Sequence, residues 1–229
     1  MTHSEPRVIV TGTGRAGTTL LMQILTDLGL DTGFTSSTPI DQHASAGLER
    51  SILSDCKPRI VKDPTLSANL RSLLITQQVV IEHVIVPIRD LEVAAASRVR
   101  VTGYGKDPFR AGGLFGTRSG TQQTQALANL FYTLFDTISE HDLPHTLLRF
   151  PRFANDADYT YEKLSFLDPS IPRERWHEVI QARTDLRLIH QTPLSRDEQR
   201  RALVGTVYTN YVRRAAGRIQ RMLRRSRDT

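Results

Sequence analysis

The sequence predicts an α/β protein of one domain, a central parallel sheet flanked by helices. Short runs of apolar, often β-branched residues, such as residues 8–10, alternate with longer stretches of helix-forming residues. Continuous apolar strands of this kind are typical of a parallel sheet that is covered on both faces. The 229 residues suit one domain of ordinary to large size, and neither a repeat nor a linker divides them.

The first strand is predicted at residues 8–10 and is closed by Gly12. The next helix should begin at about Thr18, because good helix formers follow with apolar residues on one broad face. Gly29 is well placed to end it. A strand, a glycine-rich turn and a helix therefore follow one another directly.

Three further strands are predicted by the same pattern, at residues 59–61, 83–88 and 146–150. A helix-like stretch follows each of the first two. A change to Gly, Ser, Thr and charged residues marks 102–122 as a loop, either a lid or a flexible segment. A long amphipathic helix is predicted at about 123–141, before the last strand.

The remaining chain should be helical, from about 155 to 183 and again from about 197 to 227, with breaks near Pro169 and Pro172. The last helix is rich in arginine and allows three interpretations: a solvent-exposed face, contact with an anionic surface, or nucleic-acid binding. No aromatic residue follows Tyr211, so we expect no nucleic-acid partner. Its arginines are Arg213, Arg214, Arg218, Arg221, Arg224, Arg225 and Arg227.

Composition bounds the class of protein. Hydrophobic residues make up 39% and charged residues 24%, which argues against a disordered or membrane-embedded chain. The single cysteine, Cys56, excludes an internal disulfide framework and a multi-cysteine metal site, and we expect a buried thiol. With no signal-peptide pattern at the start, the expected location is cytoplasmic. The net charge of +6 suits anionic partners.

The glycine-rich turn is the clearest candidate for a ligand site. It consists of Gly12, Thr13, Gly14, Arg15, Ala16, Gly17, Thr18 and Thr19. Between a strand and a helix, the backbone N–H groups and the helix dipole converge on an anion, so a phosphorylated ligand is predicted here. The structural alternative is a tight turn whose glycines serve geometry alone.

Two common phosphate-binding motifs fit this turn incompletely. Gly12, Gly14 and Gly17 satisfy the dinucleotide pattern G-x-G-x-x-G, yet no strand separates the first helix from Asp31, the acidic residue expected about 20 positions on. A nucleoside-triphosphate loop would need a lysine where Thr18 stands. A conventional NTPase or kinase is therefore disfavoured.

A third motif moves the cation into the turn. Residues 14–21 resemble the 5′-phosphosulfate loop of sulfotransferases, commonly Arg/Lys-Ser-Gly-Thr-Thr followed by apolar residues, with Ala16 in place of the serine. Lys-Asp-Pro at 62–64 is similar to a second segment of that family, at the end of a strand. Arg89, followed eight residues later by Ser97, resembles its 3′-phosphate site.

This resemblance implies a P-loop-type, three-layer sulfotransferase fold and the donor 3′-phosphoadenosine 5′-phosphosulfate. Residues 12–19 would then bind the 5′ end of the donor, and Arg89 and Ser97 its 3′-phosphate. The implied reaction is sulfuryl transfer to a hydroxyl of a carbohydrate, lipid or small metabolite. The family's Arg-Lys-Gly triplet is missing after Leu167. An ATP-dependent small-molecule kinase and a non-catalytic nucleotide-binding interaction module stay open as alternatives.

Sulfuryl transfer needs cations near the donor. Arg15 is the first candidate to stabilise the bridging oxygen and the leaving phosphate, and the alternative is a pair with a nearby carboxylate. Lys62 is the candidate to neutralise the sulfuryl oxygens, and the alternative is an ion pair with Asp63. Sulfuryl transfer gives no reason to expect a metal.

The acceptor hydroxyl also needs a base. Residues 46–49, Ala-Gly-Leu-Glu, resemble a Gly-x-x-Glu-like segment of many sulfotransferases, which makes Glu49 the leading candidate. His43 is the second, because imidazole titrates near neutrality. A surface role is an equal alternative for both residues.

Overall fold

The fold was obtained as a computed structural model, which describes residues 5–55, 58–76, 79–107, 110–115, 117, 122–184 and 193–204. The predictions for Cys56 and for the seven C-terminal arginines lie outside the described residues. Within the described part, no helix has the length and apolar character needed to cross a membrane.

Four parallel strands form the central sheet, in the spatial order β2-β1-β3-β4. They are β1 at Arg7–Val10, β2 at Ile60–Lys62, β3 at Ile81–Ile88 and β4 at His145–Arg149. Every pairing is parallel, which confirms the predicted α/β class and parallel sheet.

The helices connect and cover these strands. They are α1 at Thr18–Asp27, α2 at Leu66–Ile75, α3 at Leu91–Val101, α4 at Gln123–Glu140, α5 at Arg152–Asn155, α6 at Ala157–Leu164 and α7 at Arg173–Arg183. A 3-10 turn at Ser165–Leu167 follows α6, and residues 196–204 are helical. The predicted helices at 18–28 and 123–141 are therefore confirmed to within two residues.

Alternation along the strands divides the core between the two faces of the sheet. Val8 and Val10 of β1 pack on one face with residues of α1, α6 and α7. Ile9 lies on the other face, among residues of α2 and α4. Helices on both faces bury β1, β2 and the residues Val84–Val86 of β3, which explains why these parts of the sheet are apolar on both sides or nearly so.

Strand order locates the crevice where a ligand can bind. The chain leaves β1 for β2 on one side and then crosses to β3 on the other, so β1 and β3 lie at the reversal of strand order. In doubly wound sheets, ligands bind outside the carboxyl ends of the strands at such a point. The glycine-rich turn follows β1 and Arg89 follows β3, so both lie at this edge.

Candidate anion-binding site

A cavity of about 510 Å³ opens at the carboxyl ends of β1, β2 and β3. This is the size range of small-molecule and cofactor pockets. The predicted residues that line it are Gly14, Arg15, Gly17, Thr18, Thr19, Glu49, Lys62, Arg89 and Ser97. Residues that are far apart in the sequence, from the turn to α3, therefore meet in one cleft.

The glycine-rich turn exposes its backbone donors. Gly14 and Gly17 have φ angles of 71° and 77°, in the left-handed region that glycine adopts without strain. Gly17 is the N-cap of α1 and makes no side-chain cap. Among the described residues, no acceptor pairs with the N–H groups of residues 14–19. Unpaired N–H groups at the start of a helix form an anion-binding site.

Arg15 extends from the turn toward α3. Its Nε donates a hydrogen bond to Ser97 Oγ at 3.0 Å, and its Nη1 donates to the carbonyl of Ala44. Within the described chain it forms no ion pair, so the carboxylate partner considered above is not found. Burial lowers the pKa of Arg15 from its ordinary value, because the charged form is poorly solvated.

Arg89 reaches the turn from the end of β3. Its Nη1 donates to the carbonyl of Arg15 at 3.0 Å, and its guanidinium lies 5.1 Å from the centre of the Phe150 ring. Its Nη2 is buried and has no hydrogen-bond partner within the described chain. Burial, followed by the charge of Arg15, lowers the pKa of Arg89 to about 10. A buried donor without an acceptor is costly, and an anionic ligand in the cavity beside Arg89 would stabilise its charge.

Lys62 is the most buried cation of the cavity, at 2% exposure. Its Nζ donates to Thr19 Oγ1 at 2.9 Å and to the carbonyl of Gly47 at 2.6 Å, and lies 3.2 Å from the Glu49 carboxylate. Burial lowers the pKa of Lys62, and the charge of Glu49 opposes this shift. Glu49 itself is half-exposed at the cavity wall.

The alternative pair of Lys62 with Asp63 does not form. Lys62 ends β2 and Asp63 begins the turn that follows, and no ion pair joins their side chains within the described chain. Asp63 instead accepts from the backbone N–H groups of Ile52 at 3.1 Å and Thr65 at 3.0 Å. It serves the local structure between β2 and α2.

His43 lies apart from the other candidates. Its side chain is exposed, and it is not among the described residues that line the cavity. The structure therefore gives no geometric support to the prediction that His43 is the base. Glu49 remains the candidate at the cavity.

Arg98 is a cavity residue that the sequence analysis did not single out. It follows Ser97 on α3, is 5% exposed, and donates to the carbonyls of Thr13 and Gly113. Burial is the main cause that lowers the pKa of Arg98 to about 10. The available signal was an arginine two residues after the run of three alanines at 94–96, on a helix face that must be buried.

Positive charge dominates the cavity wall. Among its described lining residues, Glu49 is the one carboxylate. The cations are Arg15, Lys62, Arg89, Arg98, Arg110 and Arg183. Cations gathered around a low-dielectric cleft attract and hold anions. A phosphorylated ligand would neutralise most of this charge.

The dinucleotide motif lacks its required context. Asp31 does not end a strand; its carboxylate accepts from the backbone N–H of Arg59 at 2.8 Å. The strand that pairs with β1 after α1 is β2, which begins at Ile60. Across the described ranges, no group of three or more His, Cys, Asp and Glu side chains could hold a metal ion.

Comparison with known proteins assigns no family to the chain. No family model matches its sequence, and no match is found among curated proteins.

Proposed function

We propose that this protein is a sulfotransferase that moves a sulfuryl group from 3′-phosphoadenosine 5′-phosphosulfate to a hydroxyl acceptor. One observation carries the proposal: Arg89 and the glycine-rich turn, whose N–H groups at residues 14–19 have no acceptor among the described residues, line the same cavity. A nucleotide with phosphates at both ends of its ribose needs two such anion-binding groups. The hydroxyl acceptor of this sulfotransferase is a small metabolite, a lipid or a carbohydrate.

The donor would be held along this cleft. The turn and the start of α1 bind the 5′-phosphosulfate, because their N–H groups and the helix dipole favour negative charge. Arg89 binds the 3′-phosphate, and Ser97 Oγ supplies a hydroxyl beside Arg15. The Phe150 ring, which lines the cavity beside Arg89, offers an apolar surface to the nucleotide.

In the reaction, the acceptor oxygen forms a bond to sulfur while the bond between sulfur and the phosphate oxygen breaks. The leaving group is adenosine 3′,5′-bisphosphate, and the acceptor proton passes to the Glu49 carboxylate. Arg15 stabilises the charge on the leaving phosphate, since a preorganised cation is most effective where charge develops. Lys62 keeps Thr19 and the carbonyl of Gly47 in place beside the reacting group.

A thermal-shift comparison of nucleotides tests the donor class before any acceptor is known. We expect adenosine 3′,5′-bisphosphate to raise the melting temperature much more than ATP with magnesium, because ligand binding stabilises the folded state by mass action. A larger shift with ATP and magnesium would favour the kinase alternative. No shift with any nucleotide would contradict the proposed donor.

Arg89→Ala sharpens this experiment. It should weaken binding of the bisphosphate about 10- to 100-fold, because one or two charge-assisted hydrogen bonds to the 3′-phosphate are lost. Binding of adenosine 5′-monophosphate, which has no 3′-phosphate, should change little. Equal losses for both ligands would contradict the assignment of Arg89, and Arg173→Ala on the exposed face of α7 serves as the matched control.

A further inference from the structure

Arg98 connects two parts of the cavity wall. One arm of its guanidinium, Nη2, donates to the carbonyl of Thr13 in the glycine-rich turn. The other arm, Nη1, donates to the carbonyl of Gly113. Gly113 belongs to the segment 110–115, of which all residues except Ala111 line the cavity. A single buried side chain therefore joins the turn to this segment.

The contact with Thr13 fixes the direction of a peptide group. A trans peptide is planar, and its C=O and N–H point in opposite directions. Since the carbonyl of Thr13 points to Arg98, the N–H of Gly14 must point away from it. That N–H has no acceptor among the described residues. The space beside Gly14 is also tight, because a Cβ there would lie 2.6 Å from Arg98 Nη2.

The segment 110–115 is held at a second point. Phe115 exchanges hydrogen bonds with the buried side chain of Gln123, at 2.9 Å from its N–H and 3.2 Å to its carbonyl. The Phe115 ring lies 5.7 Å from the Arg98 guanidinium. At Gly112, a Cβ would lie 3.0 Å from Arg15 Nη1. The segment thus lies directly against the arginines of the site.

Arg98 also has one hydrogen-bond donor that is unpaired in the described part of the chain. Its Nε is buried, lacks a partner within the described residues, and belongs to a side chain that lines the cavity. An unpaired buried donor is costly, so the two hydrogen bonds that Nη1 and Nη2 make must outweigh this cost for the side chain to stay buried here.

We propose that Arg98 is the positioning residue of this cavity. By holding the carbonyls of Thr13 and Gly113 together, it directs the Gly14 N–H toward a bound anion. Anion binding and the position of residues 110–115 then depend on each other. The forked guanidinium is essential to this role, because an ammonium group cannot present two parallel arms to two carbonyls. The inference depends on an anion at the turn and rests on the proposed function only for the identity of the nucleotide.

The test compares Arg98→Lys and Arg98→Met with the wild-type protein, using calorimetric titration with adenosine 3′,5′-bisphosphate and with inorganic pyrophosphate. We expect both variants to lose at least tenfold in affinity for each ligand. Wild-type affinity in Arg98→Lys would overturn the proposal, since charge alone would then suffice. Arg7→Met is the matched control, because Arg7 is also buried and donates to the carbonyl of Pro58, at the opposite end of β1. A similar loss of affinity in this control would reduce Arg98 to a general contributor to stability and would also overturn the proposal.

A second measurement, on the wild-type protein, tests the proposal even if the variants do not fold. In the wild-type protein, either ligand should slow amide hydrogen exchange in residues 110–115 at least tenfold, and unchanged exchange would overturn the interdependence. Pyrophosphate separates the two proposals. Binding of pyrophosphate without binding of the bisphosphate would refute the proposed donor and still test Arg98, whereas binding of neither ligand would refute both.

Discussion

At the scale of single residues, the turn depends on the absence of a side chain at position 17. A Cβ at Gly17 would lie 2.5 Å from the Phe150 ring and 2.9 Å from the Phe153 ring. Both rings are buried, so neither can move away easily. The residue also has a left-handed φ, which disfavours any side chain.

Gly17→Ala should therefore destabilise the protein by about 1–3 kcal/mol more than Gly29→Ala, because overpacking against the two rings adds this cost only at position 17. Gly29 is the matched control because its φ of 86° carries the same backbone penalty, while nothing lies within 4 Å of a Cβ there. Urea unfolding of the two variants measures the difference. Equal free energies of unfolding would mean that the Phe150 ring moves aside without penalty.

Glu49 permits a test that separates charge from catalysis. Its carboxylate is the acidic group on a cationic wall, so Glu49→Gln should tighten bisphosphate binding slightly, by less than about fivefold because a half-exposed charge is screened. Turnover with an accepted hydroxyl compound should fall about 10²- to 10⁴-fold, the usual contribution of a general base.

Calorimetry and product formation measure the two effects of Glu49→Gln separately. Glu162→Gln, on the exposed surface of α6, is the control for a lost carboxylate. Unchanged turnover would exclude Glu49 as the base and leave its pairing with Lys62 as a structural contact.

At the scale of elements, α3 links the cavity to the last helical residues described. Ser97 and Arg98 of α3 face the site, while Arg100 donates to Glu198 with Nε at 3.0 Å and with Nη2 at 3.3 Å. The N–H of Ser195 also donates to Glu198, at 2.9 Å. These contacts lower the pKa of Glu198 to about 2, the hydrogen bond from Arg100 being the largest cause.

A lowered carboxyl pKa means that this contact stabilises the fold above the ordinary value of 4.5 and is lost as the pH falls toward about 2. Glu198→Gln should therefore reduce stability at pH 7 by up to about 1 kcal/mol. The difference from the wild type should shrink as the pH is lowered. Hydrogen exchange of residues 196–204 at pH 7 and pH 3 measures this.

The control for this element is Glu178→Gln, which removes an exposed pair with Arg175 on α7. It should leave exchange in 196–204 unaffected at both pH values. A constant difference between Glu198→Gln and the wild type across the pH range would show that packing, not the carboxylate charge, holds these residues against α3.

At the scale of the whole molecule, the fold class followed from apolar runs, because a buried parallel strand must be apolar on both faces. The order of the strands in the sheet could not be predicted from these runs, because it depends on the face of the sheet on which each connecting helix packs. The four-residue helix α5 was not predicted either, because one turn shows no periodicity.

The candidate site was predictable where residues adjoin a strand end. Arg15, Lys62 and Arg89 each follow or close a strand, and parallel strands bring their carboxyl ends to one edge. The partner of Lys62 was not predictable, because residues 28–59 lack regular periodicity and their path depends on tertiary contacts. Arg98 was missed because a helical arginine is usually exposed.

The cationic wall also bears on how the protein is handled. Phosphate buffer or ammonium sulfate supplies anions at millimolar to molar concentration, and these would occupy the same donors as a nucleotide. A sample prepared in such solutions would start partly saturated, and the added nucleotide would then give a muted shift in melting temperature. Purification and assay in a zwitterionic buffer with chloride as the counterion would avoid this competition.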